Sequence, residues 1–229
     1  VDGDAMGRAF PELQMVSFTL GGIKATPMAM IDDKGNGATF DTISNQWTEK
    51  LARALTIQMG GSAMVSLYPV TAKDCKKYLI KNSLSLIYYI GNVVKEYSFN
   101  AYKVLAKELK GKHLFQARVR DVERTAGEGF TRGVVKLEGI GDFVGRNAKL
   151  DFQNEFLIAM EGDKVLATTP DLICLFDANT GEPVTTEAMK YGLSVNVLGL
   201  PCDPIWKSKE AIDLVGPRYF KYDIDYQPL

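Results

Sequence analysis

The sequence is poor in the side chains that most often do chemistry. Its 229 residues contain one histidine, His113. Zinc sites built on several histidines are thereby excluded, and a nucleophilic triad has a single candidate base. The three cysteines, Cys75, Cys174 and Cys202, stand far apart with no C-x-x-C pair. Neither a disulfide framework nor a zinc knuckle is expected, and a reducing, cytoplasmic setting is favoured. Charge of one sign is also lacking, since 27 basic residues face 28 acidic ones for a net charge of -1. No basic block marks a polyanion-binding arm, which argues against nucleic acid. The longest strongly apolar stretch, Leu84 to Val94, falls well short of the about 20 residues that a membrane helix needs, so no membrane partner is expected. The chain opens at Val1 without methionine, basic n-region or apolar h-region, and the expectation is a fragment or a processed chain.

What is present is ample apolar material, 46% of residues, enough to bury a core. Residues 1–109 have mainly helical texture. Pro11 suits the first position of a helix whose apolar face is Leu13, Met15, Val16, Phe18 and Leu20, ended by Gly21-Gly22. Ile23 to Ile31 reads as a strand, followed by the turn Asp32 to Gly37 and a second strand. Ser44 or Asn45 caps a helix in which Trp47, Leu51 and Leu55 form the apolar stripe and Glu49 and Arg53 pair on the wet side. Ala63 to Tyr68 has strand composition and Ala72 to Ile80 that of a short helix, while Ser83 and Ser98 look like caps of two more. After Lys110 the texture changes to short alternating runs. Phe115–Glu123, Gly133–Glu138, Lys149–Phe152, Leu157–Glu161, Asp163–Thr168, Leu172–Phe176 and Leu193–Leu198 all read as strands, with Asp177 to Gly181 a strong turn signal. Strands this short and close predict a small β-barrel or sandwich over residues 110–200, and the barrel is the expectation carried forward. Residues 201–229 are expected to form a tail packing back on the first part, with Phe220, Tyr222, Ile224 and Tyr226 alternating as one more strand. The expected fold class is thus α/β plus all-β, a layered α/β domain, incomplete at its N-terminus, followed by a small barrel.

Familiar catalytic loops fail on spacing. Gly127 to Gly133 and Gly139 to Gly145 are one residue too long for a dinucleotide fingerprint and lie between strands, where hairpin turns explain them. Ser62 sits at a helix-to-strand junction, the reverse of a nucleophile elbow. His113 follows a helix end beside Lys110 and Lys112, where a solvated cap is the simpler role. The opening Asp2-Gly3-Asp4-Ala5-Met6-Gly7-Arg8-Ala9-Phe10-Pro11-Glu12 differs, because it packs three carboxylates and a guanidinium ahead of a helix N-terminus. Arg8 and first-turn amides can hold an oxyanion or a carbonyl, and Asp2 and Asp4 can bind a divalent metal or act as base toward water. The structural alternative is a turn closed by Asp4, a dipole-favoured Glu12 and an ion-paired Arg8. A second cluster, Gln153-Asn154-Glu155, places Gln153 and Glu155 on one strand face, or else serves a strand bend.

The opening motif, continued through Leu13-Gln14, resembles the signature of the S-methyl thiohydantoin desulfurase-like family. Further landmarks follow in family order: Ala25-Thr26-Pro27-Met28, Met59-Gly60-Gly61-Ser62-Ala63, Asp121-Val122-Glu123-Arg124, Phe152-Gln153-Asn154-Glu155, Pro170-Asp171-Leu172-Ile173, Thr180-Gly181-Glu182-Pro183 and Val215-Gly216-Pro217-Arg218. The resemblance implies an α/β layer followed by a barrel, and a further segment ahead of the Asp-rich motif. It also implies hydrolysis of an S-methyl thiohydantoin to a hydantoin with release of methanethiol. On that expectation Asp2, Asp4, Arg8 and Glu12 are the catalytic candidates, Asp2 and Asp4 the candidate metal ligands, and Gln153, Asn154 and Glu155 the substrate-binding ones. Expected partners are a cyclic amide substrate, a hydantoinase/oxoprolinase domain or subunit, and further copies of the chain. The rival expectation is a non-catalytic module attached to such an enzyme.

Overall fold

The computed structural model describes residues 1–127 and 129–229. Glu128, in the first glycine-rich loop, lies outside the described residues. The chain begins with β1 (Gly3–Asp4), α1 (Ser17–Leu20), β2 (Met28–Ile31), β3 (Gly37–Phe40), α2 (Asn45–Gln58) and β4 (Met64–Ser66). It continues with α3 (Ala72–Tyr78), β5 (Ile80–Lys81), α4 (Ser83–Tyr97) and α5 (Ala101–Glu108). Strands β3, β2 and β4 form a small antiparallel sheet in that order, and β1 pairs with β5. Helix α2 is capped as its sequence predicts, the Ser44 hydroxyl accepting from the Trp47 amide at 3.3 Å.

The rest is built on β6 (Lys112–Gly127), β7 (Phe130–Gly139), β8 (Asn147–Gln153), β9 (Glu155–Glu161), β10 (Lys164–Thr168), β11 (Leu172–Asp177), β12 (Pro183–Val184), β13 (Ser194–Leu200) and α6 (Lys209–Val215). All eight strands join one antiparallel sheet in the order β10-β9-β8-β7-β6-β13-β11-β12. Its bulges, at Val119/Asp121 and Val197/Leu198 among others, let it curl around a core of Phe115, Val119, Val135, Leu150, Val195 and Val197. The expected barrel is corrected here, because among the described residues the sheet does not close. One edge is β12, two residues that begin with Pro183, which has no amide to donate to a further strand. At the other edge the chain leaves β10 at Thr169, whose amide turns back to the Leu157 carbonyl at 2.7 Å.

Local expectations also change. The helix expected from Pro11 shrinks to the single turn α1, because the preceding residues take long-range partners: the Ser17 amide bonds the Ala5 carbonyl at 2.7 Å, and Glu12 and Gln14 reach Tyr219. The strand expected over 220–226 does not form. Arg218 instead draws in Asp223 and Asp225, and buried Asp171 accepts from the Tyr226 hydroxyl and the Leu229 amide. His113 is no solvated cap: it lies within β6 between the rings of Tyr102 and Phe143, and burial holds its imidazole pKa below the usual value. The opening loop is clamped against β9 and the tail. Fully buried Trp206 donates its indole N–H to the Met6 carbonyl at 2.7 Å and meets Phe10 edge-on at 4.9 Å.

Candidate functional site

A cleft of about 620 Å³ opens where the opening segment, α2, the β7–β8 strand ends and the C-terminal turn meet. Four side chains make its polar wall. Glu12 Oε2 accepts from Gln14 Nε2 at 2.5 Å and from the Tyr219 hydroxyl at 2.6 Å, and Gln14 Nε2 also reaches the Tyr219 oxygen at 3.0 Å. Burial and the neighbouring Glu12 carboxylate push the Tyr219 phenol well above its usual pKa, so it stays a proton donor at neutral pH. Glu12 Oε1 takes no protein donor among the described residues, which leaves it available to water. Gln153, at the end of β8, completes the wall.

Behind this wall lies an ion pair that the sequence had suggested but misplaced. Glu49 and Arg53, expected on the wet face of α2, pair inward: Glu49 is 5% exposed, and its Oε2 accepts the Leu13 amide at 2.8 Å while Oε1 meets Arg53 Nε. Arg53 donates further to the carbonyls of Pro11 and Gly129, each at 2.9 Å, and its guanidinium stacks on Phe130 at 3.8 Å. Of the expected apolar stripe Trp47 and Leu51 face out, 46% and 44% exposed, while Leu55 packs against Met28, Met30 and Ala52. Two amide atoms in the wall lack partners among the described residues, the acceptor Gln14 Oε1 and the donor Gln153 Nε2. Gln14 is 1% exposed and Gln153 3%. A buried amide atom left unbonded costs about 1–3 kcal/mol, so such atoms invite a ligand.

Of the candidates read from the sequence, the structure brings Glu12 and Gln153 together here. Asn154, at φ +56°, makes a one-residue turn between β8 and β9, its amide and side-chain oxygen both held by the Thr131 backbone. That turn sends Gln153 and Glu155 to different clefts. Asn154 and Glu155 line a smaller one of about 340 Å³ with Cys174, Thr186 and Glu187. Burial raises the Glu155 pKa despite the opposing Arg8 charge, and burial pushes the Cys174 thiol up to about 11, which makes it a poor nucleophile.

Arg8 acts as a latch. Its guanidinium donates to the Asp171 carbonyl at 2.8 Å and the Phe156 carbonyl at 3.3 Å, tying the opening loop to the sheet. Burial lowers its pKa, with Glu155 the leading opposing charge. Asp2 lies elsewhere, capping α4: its carboxylate accepts from the Leu84 amide at 3.0 Å, the Ser85 amide at 3.1 Å and the Ser85 hydroxyl at 2.5 Å. The Ser85 hydroxyl and amide hold the Asp2 carboxyl below its usual pKa. Asp4 closes a turn, accepting from the Met6 and Gly7 amides at 2.5 and 2.6 Å. Burial pushes its carboxyl up, but Ser83 and the two amides outweigh that and the net shift is down. Both carboxylates are thus spent on local donors, and among the described residues no three His, Cys, Asp or Glu side chains converge as a metal set. Asp2 and Asp4 do not fit a divalent metal.

Gln14, Glu49, Arg53 and Tyr219 are the cleft residues that sequence reasoning passed over. The Glu49/Arg53 spacing was a signal, but an i,i+4 pair reads as surface by default.

A mixed α/β protein with a large curled antiparallel sheet and a carboxylate–amide–phenol cleft at its junction with an α/β layer is the class defined so far. Residues 1–42 match the S-Me-THD-like N-terminal domain and residues 43–229 the S-Me-THD-like C-terminal domain, so the chain belongs to the S-methyl thiohydantoin desulfurase-like family. A crystal structure of a protein from Chromobacterium violaceum is similar over 100% of this chain, with a TM-score of 0.81 and 21% identity. The chain spans 66% of that protein's length, and the likeness concerns the fold. No curated protein matches.

Proposed function

We propose that the cleft hydrolyses a cyclic amide-type ring, an S-methyl thiohydantoin, releasing methanethiol and leaving a hydantoin. The observation that carries this reading is the unpaired acceptor Gln14 Oε1 and donor Gln153 Nε2 in one wall beside Glu12. A five-membered ring amide presents the complementary N–H and C=O, and the soft terminal torsion of a glutamine lets either atom turn onto it. Glu12 takes a proton from water through Oε1 as the water oxygen adds to the ring carbon bearing sulfur. The C=N pair moves onto the ring nitrogen, which takes up the second water proton from the adduct hydroxyl as that oxygen becomes the ring carbonyl. Collapse of the adduct breaks the carbon–sulfur bond, and the departing thiolate takes the proton from Glu12. Thioimidate and water thus become amide and methanethiol. Tyr219 orients the base through its hydrogen bond to Oε2. The reading is tested by incubating the protein with an S-methyl thiohydantoin and trapping released thiol. Time-dependent release proportional to enzyme is expected, and its absence across several ring substituents would remove the hydrolase.

A second reading, a module bound to a hydantoinase or oxoprolinase partner, draws support from the apolar face of α4. Leu84, Ile87 and Tyr88 are 52%, 61% and 75% exposed there, an arrangement that suits a protein interface.

A further inference from the structure

Glu12 and Gln14 reach the cleft from a stretch with no helix or strand of its own. Residues 11–16 are irregular, and a single turn bond, from the Met15 amide to the Glu12 carbonyl at 3.0 Å, gives local support. A wall residue on such a stretch keeps its aim only if the backbone beneath it is held from elsewhere. Leu13, between the two, turns the other way and packs against Met28, Met30 and Ala52. Both of its backbone groups are taken by side chains from distant elements. Glu49 Oε2 accepts the Leu13 amide at 2.8 Å, and the Tyr68 hydroxyl donates to the Leu13 carbonyl at 3.3 Å while sharing a 2.9 Å bond with the Thr19 hydroxyl. The amide lies in the peptide plane shared with Glu12, and the carbonyl in the plane shared with Gln14. Neither gripping residue is one that packing alone would select. Glu49 is 5% exposed, and a buried carboxylate is expensive to desolvate, whereas apolar residues of similar volume often replace a buried ion pair without loss of stability. Tyr68 sits at φ +55°, a strained backbone for a bulky side chain that persists only where its surroundings over-determine it.

We infer that Glu49 and Tyr68 are positioning residues for the reaction in this cleft, each acting through a different wall residue. Glu49 fixes the peptide between Glu12 and Leu13, and so the aim of the base. Tyr68 fixes the peptide between Leu13 and Gln14, and so the amide that meets the ring. Neither acts on substrate directly: both Glu49 oxygens are already engaged, by Leu13 and Arg53, and the Tyr68 ring is buried beneath the arm. Arg53 completes the grip by donating to the Pro11 carbonyl at 2.9 Å. This deepens the hydrolytic reading above, on which its kinetic part rests. Geometry of this kind is sensitive, since a displacement of about 1 Å at a reacting group can lower a rate by about 10²-fold.

The test uses two mild variants and two readouts. Glu49→Asp keeps the charge opposite Arg53 but draws the carboxylate back from Leu13 by one methylene; kcat for thiol release should fall about tenfold or more, with KM within about twofold of wild type. Tyr68→Phe removes only the hydroxyl, and binding of a propyl-substituted hydantoin, followed by calorimetry, should weaken about fivefold, the contribution of one misdirected hydrogen bond. Double variants separate positioning from general destabilisation. In a Glu12→Gln background Glu49→Asp should lower kcat by no more than about twofold further, and in a Gln14→Ala background Tyr68→Phe should weaken hydantoin binding by no more than about twofold further. Single variants that behave as wild type, or equal losses with and without the wall residue, overturn the inference. Calorimetry needs no turnover, so the two layers fail separately. Tyr68 and Gln14 effects that do not add, in a protein that releases no thiol, support the positioning and defeat the hydrolysis. Thiol release with fully additive losses defeats the positioning alone, and neither binding nor release defeats both.

Discussion

Replacing Glu12 by glutamine removes the proposed base while keeping its shape. In the native cleft Glu12 Oε2 accepts two charge-assisted bonds, at 2.5 Å from Gln14 and 2.6 Å from Tyr219. Bonds to a charged acceptor contribute about 1.5–3 kcal/mol each and neutral ones about 1, so the two together lose roughly 2 kcal/mol of stability. For a chain of this size each kcal/mol moves Tm by roughly 2–4 °C, so a fall of about 4–8 °C is expected, with the protein still folded at 25 °C. Turnover should fall much further, by about 10²- to 10⁴-fold in kcat, the usual contribution of a positioned base. KM should change little, because Gln14 and Gln153 still meet the ring. An independent optical signature accompanies the loss. Burial keeps the Tyr219 phenol high, but removing the Glu12 charge takes away the second cause, so its ultraviolet titration should move down toward the usual tyrosine range. A kcat within about threefold of wild type, far less than a base contributes, would refute the assignment.

Three further outcomes follow from the geometry. Asp2→Ala should unlock the N-terminus of α4, so that the Leu84 and Ser85 amides exchange faster with deuterium, while thiol release persists; abolished release with unchanged exchange would return Asp2 to the chemistry. Trp206→Phe leaves the Met6 carbonyl without its indole donor and should cost about 1–3 kcal/mol, read as a lower Tm in a thermal melt, and an unchanged Tm would contradict the clamp. Above neutrality the protein should lose stability from about pH 9, as the unfolded chain's thiols and phenols begin to release protons. The folded protein retains those protons, because burial pushes Cys174 up to about 11 and Cys202, Tyr68 and Tyr222 up to about 12. The stability they supply is complete below the unfolded pKa values and is lost as pH climbs through the folded ones. Denaturant melts at stepped alkaline pH check this, and a flat profile from pH 8 to 12 would show that these groups are not held as described.

Much of the fold was written in local pattern. The seven strands after Lys110 appear in the structure because alternation and turn residues are short-range signals, as with the Asp177 carboxylate that accepts the Asn179 and Thr180 amides. The open sheet edge was not legible, since closure depends on what pairs with β10 and β12 across the chain. The cleft was half legible. Glu12 and Gln153 stood out as polar residues in dense motifs, but Tyr219 meets Gln14 across 205 positions, and no local rule couples them. Asp2 misled for a related reason: a carboxylate in an Asp-rich loop looks free until the helix it caps, more than eighty residues later, is folded against it. Glu49 and Arg53 misled because spacing reveals that two side chains meet, and only packing decides which side of the helix is inside.

The central claim is that the ring sits between Gln14 and Gln153 beside Glu12. A crystal structure of the protein with a bound hydantoin product tests it most directly. Ring density is expected in the larger cleft, with a ring N–H toward Gln14 Oε1 and a ring carbonyl toward Gln153 Nε2, both at hydrogen-bond distance. Density instead in the cleft of Asn154, Glu155 and Glu187, with the larger cleft empty, would contradict it.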